Sequence, residues 1–244
     1  MGHVFTMLSP KGGAGKTTLS LVLAGELAQA GRDQGKRVTL IDADPNQPIV
    51  GWKALGQSPD NIDVIADHHD NGHTIRENIK AAQATSDFVI VDTEGTANVR
   101  VTRAVPTSSL VIIPISDSML DLREAAKSVR LVRDFSADMG RDIPFVLVRT
   151  RVDAAITSRE STAISGIIEE QGLPVLEHAL VNRAAYKSII RYGATIHQLG
   201  DREAPGLAAA RRNAHDVMEA IARFYTDSVA GRRPLTTPDR GLAA

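Results

Sequence analysis

At 244 residues, with 43% hydrophobic and 23% charged side chains, the chain is long enough for one α/β domain with a full apolar core. It contains no cysteine, which excludes disulfides, thiolate zinc sites and iron–sulfur clusters, and its 4% aromatic content argues against base-stacking platforms for single-stranded nucleic acid. The net charge of −1 hides an asymmetry: residues 1–140 sum to −3 and residues 141–244 to +2, so a polyanion-binding surface is expected in the second half.

Val- and Ile-rich runs of strand length recur along the chain. They lie at Val4–Leu8, Arg37–Ile41, Ile62–Ala66, Phe88–Val91, Leu110–Ile115 and Phe145–Val148, with a short seventh at Val175–Leu176. Polar residues do not alternate within them, which is the pattern of strands buried on both faces of a parallel sheet. Helical spacing falls between the runs. Leu19, Val22, Leu23, Leu27 and Ala30 mark one apolar face, and Leu122, Ala125, Val129 and Val132 mark another. Arg32-Asp33-Gln34-Gly35 is expected to be a surface turn. A last helix is predicted from about Glu203 to about Val229, on the stripe Leu207, Ala210, Ala214, Val217, Ile221 and Phe224. Strand and helix alternate throughout, so the fold class is α/β with right-handed crossovers. Residues 1–229 are expected to form a single domain and residues 230–244 a flexible polar tail. No apolar run reaches the ~18–20 residues of a membrane span.

The first strand runs into Pro10-Lys11-Gly12-Gly13-Ala14-Gly15-Lys16-Thr17-Thr18 and then into a helix. That is the context of a phosphate-binding loop. Its glycines let backbone N–H groups turn onto phosphate oxygens, and the helix N-terminus adds partial positive charge. Gly12, Gly13, Ala14, Gly15, Lys16, Thr17 and Thr18 are therefore the expected phosphate contacts. Lys16 reaches the β- and γ-phosphates of ATP, and the Thr17 hydroxyl ligates Mg²⁺. Lys11 is either a solvated surface lysine or a second phosphate contact. Two ammonium groups so close to one site repel unless an anion lies between them.

Two acidic segments follow. Ile41-Asp42-Ala43-Asp44-Pro45-Asn46-Gln47 places carboxylates at the carboxyl edge of the sheet, where open α/β folds bind ligands. Asp42 is read as bracing Lys16 or joining the metal shell. Asp44 alternatively caps the next helix. The run Asp87–Val91 continues into Asp92-Thr93-Glu94-Gly95, with Asp92 at the strand end.

The segment Lys11-Gly12-Gly13-Ala14-Gly15-Lys16-Thr17-Thr18 resembles the deviant Walker A motif of the ParA/MinD family. The resemblance implies a three-layer P-loop NTPase sandwich, with a mostly parallel sheet and helices on both faces. It makes Lys11 the signature lysine that reaches the nucleotide of a second copy of the chain across a two-ATP dimer. It makes Asp44 the residue that orients the attacking water, and Asp92 the Walker B aspartate that holds the Mg²⁺ shell. Gly95 then offers its N–H to the γ-phosphate. Pro10 stands at the usual first-glycine position, and Glu94-Gly95 replaces the family's Pro-Pro. Glu94 orients water, is solvated, or pairs with an arginine.

Three functions compete on this scaffold. The first is a DNA-partition ATPase of the small ParA kind, a homodimer when ATP-bound, cytoplasmic and then nucleoid-associated. It binds double-stranded DNA without sequence preference and works with a ParB-like adaptor. Residues 183–212 support it with a net charge of +4. The DNA contacts expected there are Arg183, Lys187 and Arg191 at i, i+4 spacing, with Arg211 and Arg212; Arg183 alternatively contacts nucleotide. Only three residues precede the first expected strand, so an N-terminal helix-turn-helix domain is not expected. A close variant is a DNA-transfer ATPase like those of agrobacterial virulence plasmids, which the segments Asp42–Trp52 and Val148–Val152 resemble. The second is a membrane-surface ATPase, which the apolar-poor stretch Leu235–Ala244 argues against. The third is a metabolic ATP-dependent ligase. Arg149 and Thr150 are candidates for holding adenine. No residue stands out as a cis arginine finger, so slow intrinsic hydrolysis is expected.

Overall fold

Apolar runs without alternation bury both faces, and the computed structural model, which describes residues 1–67, 72–95, 98–153 and 158–231, shows the sheet that does so. Seven strands lie in the order β3-β2-β4-β1-β5-β6-β7, all in parallel pairs. They are β1 (His3–Met7), β2 (Val38–Ala43), β3 (Ile62–Ala66), β4 (Phe88–Thr93), β5 (Leu110–Ile115), β6 (Phe145–Val152) and β7 (Leu180–Val181). Every residue of β2 and β5 is buried, as is every residue of β1 and β4 after the first.

The helices are α1 (Lys16–Ala30), α2 (Pro48–Ala54), α3 (Ile75–Thr85), α4 (Val99–Ala104), α5 (Met119–Met139), α6 (Arg159–Glu170), α7 (Ala184–Tyr192) and α8 (Leu207–Val229). Alternate strand residues separate two apolar layers. Phe5, Met7, Leu40 and Val146 pack with α1, α2, α7 and α8 on one face. Val111, Ile113 and Leu147 meet α5 and α6, while Ile41, Val89 and Val91 meet α3 and Ala104, on the other. This is a three-layer α/β sandwich.

The structure shifts several expected boundaries. Val175 makes only an isolated bridge to Leu147, and the seventh strand is Leu180–Val181. The chain touches β6 first at Leu147 and rejoins it near Thr150, because β6 runs on to Val152. Helix α8 starts at Leu207, later than Glu203, because Gly206 takes a left-handed φ of 70° directly after Pro205. In α1 the burial runs all round from Leu19 to Ala28, and Ala30 is exposed. Arg32–Gln34 forms an exposed 3₁₀ turn closed by Gly35 at φ 66°, as its composition suggests. Of the expected tail, residues 232–244 lie outside the described residues. Among the described residues no helix is long and apolar enough to cross a membrane.

Candidate functional site

The carboxyl ends of β1, β4 and β2 stand level, with Met7 beside Asp92 and Asp92 beside Asp42. The loop between β1 and α1 caps this edge. Gly13 and Gly15 have φ of 89° and 90°, a backbone that side chains rarely tolerate. A Cβ on Gly95 would sit 2.9 Å from the Gly12 nitrogen, so the segment after β4 lies directly on the loop.

Lys16 is buried, and its Nζ donates to the carbonyls of Ser9 and Lys11, both at 3.1 Å. Burial lowers its pKa; the nearby charges of Asp92, Asp44 and Glu94 act against that. The result is a desolvated ammonium held in the loop by carbonyl oxygens.

Asp92 is 1% exposed. Thr17 Oγ1 donates to it at 2.7 Å and Ser20 Oγ at 3.0 Å. Burial pushes its carboxyl up to about 7; the two hydroxyls and Lys16 counter this, while Asp42 adds to it. Thr17 and Asp92 together offer hard oxygens of the kind Mg²⁺ takes, and Mg²⁺ needs only one or two protein ligands beside water and phosphate. Among the described residues there is no group of three or more His, Asp and Glu side chains that could hold a metal ion by themselves.

Asp42 is fully buried, and its oxygens accept from the backbone N–H of Ile49 at 2.8 Å, Val50 at 3.0 Å and Asp44 at 3.3 Å. It therefore satisfies the first turn of α2 and makes no hydrogen bond to Lys16 among the described residues. The cap is Asp42 and not Asp44. Asp44 is half-buried and accepts from the backbone and side-chain nitrogens of Asn46 at 2.8 and 3.0 Å, closing an Asx turn. Its charge still acts on Lys16.

Lys11 is held by a carboxylate. Its Nζ lies 2.5 Å from Oδ1 of Asp121 in the first turn of α5, whose side chain is 6% exposed. Ser116 donates to the other Asp121 oxygen. Burial alone would raise the Asp121 pKa, but the bonds from Lys11 and Ser116 outweigh it and hold the carboxyl below its usual range. Glu94 accepts from Asn98 Nδ2 at 2.7 Å, so its hydrogen-bond partner is an amide and not an arginine.

A cleft of about 390 Å³ opens beside the loop, lined by Gly15, Thr18, Thr150, Arg151, Arg183 and Lys187 among others. Among the described residues its walls carry no carboxylate. Thr150 donates to the Ala14 carbonyl at 2.8 Å, fastening β6 to the loop. Arg149, the other adenine candidate, pairs with Asp117 at 2.8 Å and donates to Ser161, outside this cleft.

The expected DNA contacts separate. Arg183, at the N-cap of α7, and Lys187 line the cleft beside the phosphate loop. Arg191 is exposed, with its guanidinium 5.4 Å from the Tyr192 ring centroid. Arg212 is exposed. Arg211 is not available: it donates to the carbonyls of Ile196 at 3.1 Å, His197 at 3.3 Å and Leu199 at 2.9 Å, tying α8 to the chain that leads into it. Four residues of this region escaped sequence reasoning. Ser20 was findable, three positions after Thr17 on one face of α1. Ser116, Asp121 and Arg151 carry no local signal.

Comparison with known proteins agrees with this geometry. A family model described as VirC1 protein matches residues 2–229. The chain is 34% identical over 226 residues to Protein ParA of Rhizobium radiobacter, covering 93% of this chain and 99% of that one. It is 30% identical over 194 residues to the maintenance of carboxysome distribution protein A of Halothiobacillus neapolitanus, covering 79% and 85%. A McdA–ATP complex from Cyanothece shares the fold, with a TM-score of 0.71 at 15% identity over 91% of this chain and 96% of that one. The chain belongs to the VirC1 protein family, within the ParA/MinD group of P-loop ATPases.

Proposed function

We propose that this chain is a partition ATPase that dimerises on ATP, binds duplex DNA without sequence preference, and is reset by hydrolysis. The observation that carries this reading is the presence of two lysines on one phosphate loop: Lys16 buried within it, and Lys11 at its edge, paired with Asp121. The backbone N–H groups of Gly12 to Thr18 and of Gly95 bind phosphate oxygens, and Lys16 moves from loop carbonyls onto the anion. Thr17 and Asp92 would hold Mg²⁺, which neutralises phosphate charge when bound. Asp44 orients the attacking water. Lys11 exchanges Asp121 for the nucleotide of a second copy. Arg191 and Arg212 remain as phosphate-backbone contacts on DNA, with Lys187 at the cleft rim. A ParB-like adaptor accelerates turnover and links the dimer to cargo. The protein works in the cytoplasm and on the nucleoid when ATP-bound.

The test is the mass of the particle in solution, with and without ATP and with and without duplex DNA. A monomer that becomes a dimer with ATP and only then binds duplex supports the reading. A monomer under all conditions, with nucleotide turnover indifferent to DNA, would overturn it in favour of a metabolic ligase.

A second reading, in which the same cycle serves DNA transfer, rests on the resemblance of Asp42–Trp52 and Val148–Val152 to DNA-transfer ATPases of agrobacterial virulence plasmids. Deleting the gene would then abolish transfer while plasmid inheritance persists; lost inheritance supports partition.

A further inference from the structure

The end of β6 carries a bulge. Thr150 pairs with Leu180 and Val152 with Val181, so Arg151 is the extra residue between two consecutive partners. Its φ is 57°, in the left-handed region where such bulges normally carry glycine. A bulge re-aims side chains. Here it turns Arg151 toward the phosphate loop: Nη1 lies 3.8 Å from the point where a Cβ on Gly13 would stand. The neighbouring Thr150 is buried and bonded to the Ala14 carbonyl, so the bulge cannot drift from the loop. Arg151 is exposed and lines the same cleft as Arg183 and Lys187. Among the described residues no carboxylate pairs with it.

A strained backbone that holds a guanidinium with no carboxylate partner among the described residues against a phosphate loop calls for an anion. We propose that Arg151 is a cis contact to the phosphates of the bound nucleotide, on the Gly13 side of the loop. This rests on the ATPase reading and adds to it a residue outside the Walker motifs. Its fixed charge stands where negative charge spreads over the transferred phosphoryl group, so it also supports turnover within one subunit.

The experiment measures affinity for ATP, ADP and adenosine, each by competition with a fluorescent ATP analogue, in the wild type and in Arg151→Gly and Arg151→Lys. Glycine suits the bulge and keeps the backbone, so a folded variant is expected. Arg151→Gly should weaken ATP and ADP by about tenfold or more and leave adenosine unchanged, and Arg151→Lys should fall between. Unchanged ATP affinity in a folded Arg151→Gly protein would overturn the proposal while leaving the ATPase reading intact. Equal losses for adenosine and ATP would also overturn it, because the guanidinium would then stack on the base. A wild-type protein that binds no ATP would remove the ATPase reading and this proposal together.

Discussion

Asp92 is a carboxylate whose burial works against the empty protein. Its pKa is pushed from 3.8 up to about 7, with burial the largest cause. Between those values the folded chain holds a proton that the unfolded chain has released. The contribution to stability is therefore complete below about pH 4 and is lost as pH rises through about 7. Integrating one site over that window, the nucleotide-free protein should gain about 2 kcal/mol between about pH 8 and about pH 5.5. For a chain of this size that is ~4–8 °C in melting temperature. Other groups titrate over the same range, Asp42 among them, since burial raises its pKa too. The informative quantity is the difference from Asp92→Asn, which keeps the shape, and one bond to Thr17 or Ser20, but cannot ionise. Urea unfolding of both proteins at the two pH values, in chelator and without nucleotide, should show the wild type less stable at high pH and the gap closing on acidification. Parallel pH slopes would refute the reasoning, because Asp92 would then carry no cost that a proton relieves. The same proton competes with the cation, so Mg²⁺ affinity should fall by about tenfold per pH unit below about 7.

Lys11→Ala should still bind ATP as a monomer and fail to dimerise, read by sedimentation; a normal dimer would remove Lys11 from its cross-subunit role. Asp121→Asn should do the reverse, freeing Lys11 and lowering the ATP needed for half-dimerisation by about fivefold, the worth of a partly exposed pair at ~1 kcal/mol. Asp44→Ala should hold an ATP-bound dimer and slow phosphate release by about a hundredfold, and brisk turnover would exclude it from orienting the water. Arg211→Ala should cost about 1–3 kcal/mol in urea unfolding, since buried carbonyls lose their donor, whereas Arg212→Glu should leave stability alone and flatten the salt dependence of DNA binding.

The phosphate loop was legible because its chemistry is contiguous: a strand, three glycines and Lys16-Thr17 fall within one short stretch. Asp92 was legible for a related reason, since a buried run that ends in a carboxylate points to the sheet edge. The capping bonds of Asp42 were not legible because Asp42 and Asp44, with one residue between them, look alike in sequence. Only the left-handed turn at Gln47 and the start of α2 at Pro48 bring the Ile49 and Val50 amides onto Asp42. Arg211 and Arg212 are identical neighbours, yet helical geometry turns one toward three carbonyls and leaves the other exposed. Basic spacing cannot separate those outcomes. The partner of Lys11 sits 110 residues away, and the strand Leu180–Val181 is too short to have a period.

Helix α1 is buried from Leu19 to Ala28, between the sheet and the helices α7 and α8. Its Glu26 meets His197 at 2.7 Å from inside that packing. A helix gripped on every side has no free face along which to slide or roll. The phosphate loop therefore grows from a fixed post. On the proposed reading, the distinction between ATP and ADP would fall to the parts not gripped in this way: the Asx turn at Asp44, the contact of Gly95 with the loop, and the ion pair that tethers Lys11 to α5. On the ATPase reading proposed above, the fold would keep the reference point still and leave the sensing to three short connections around it.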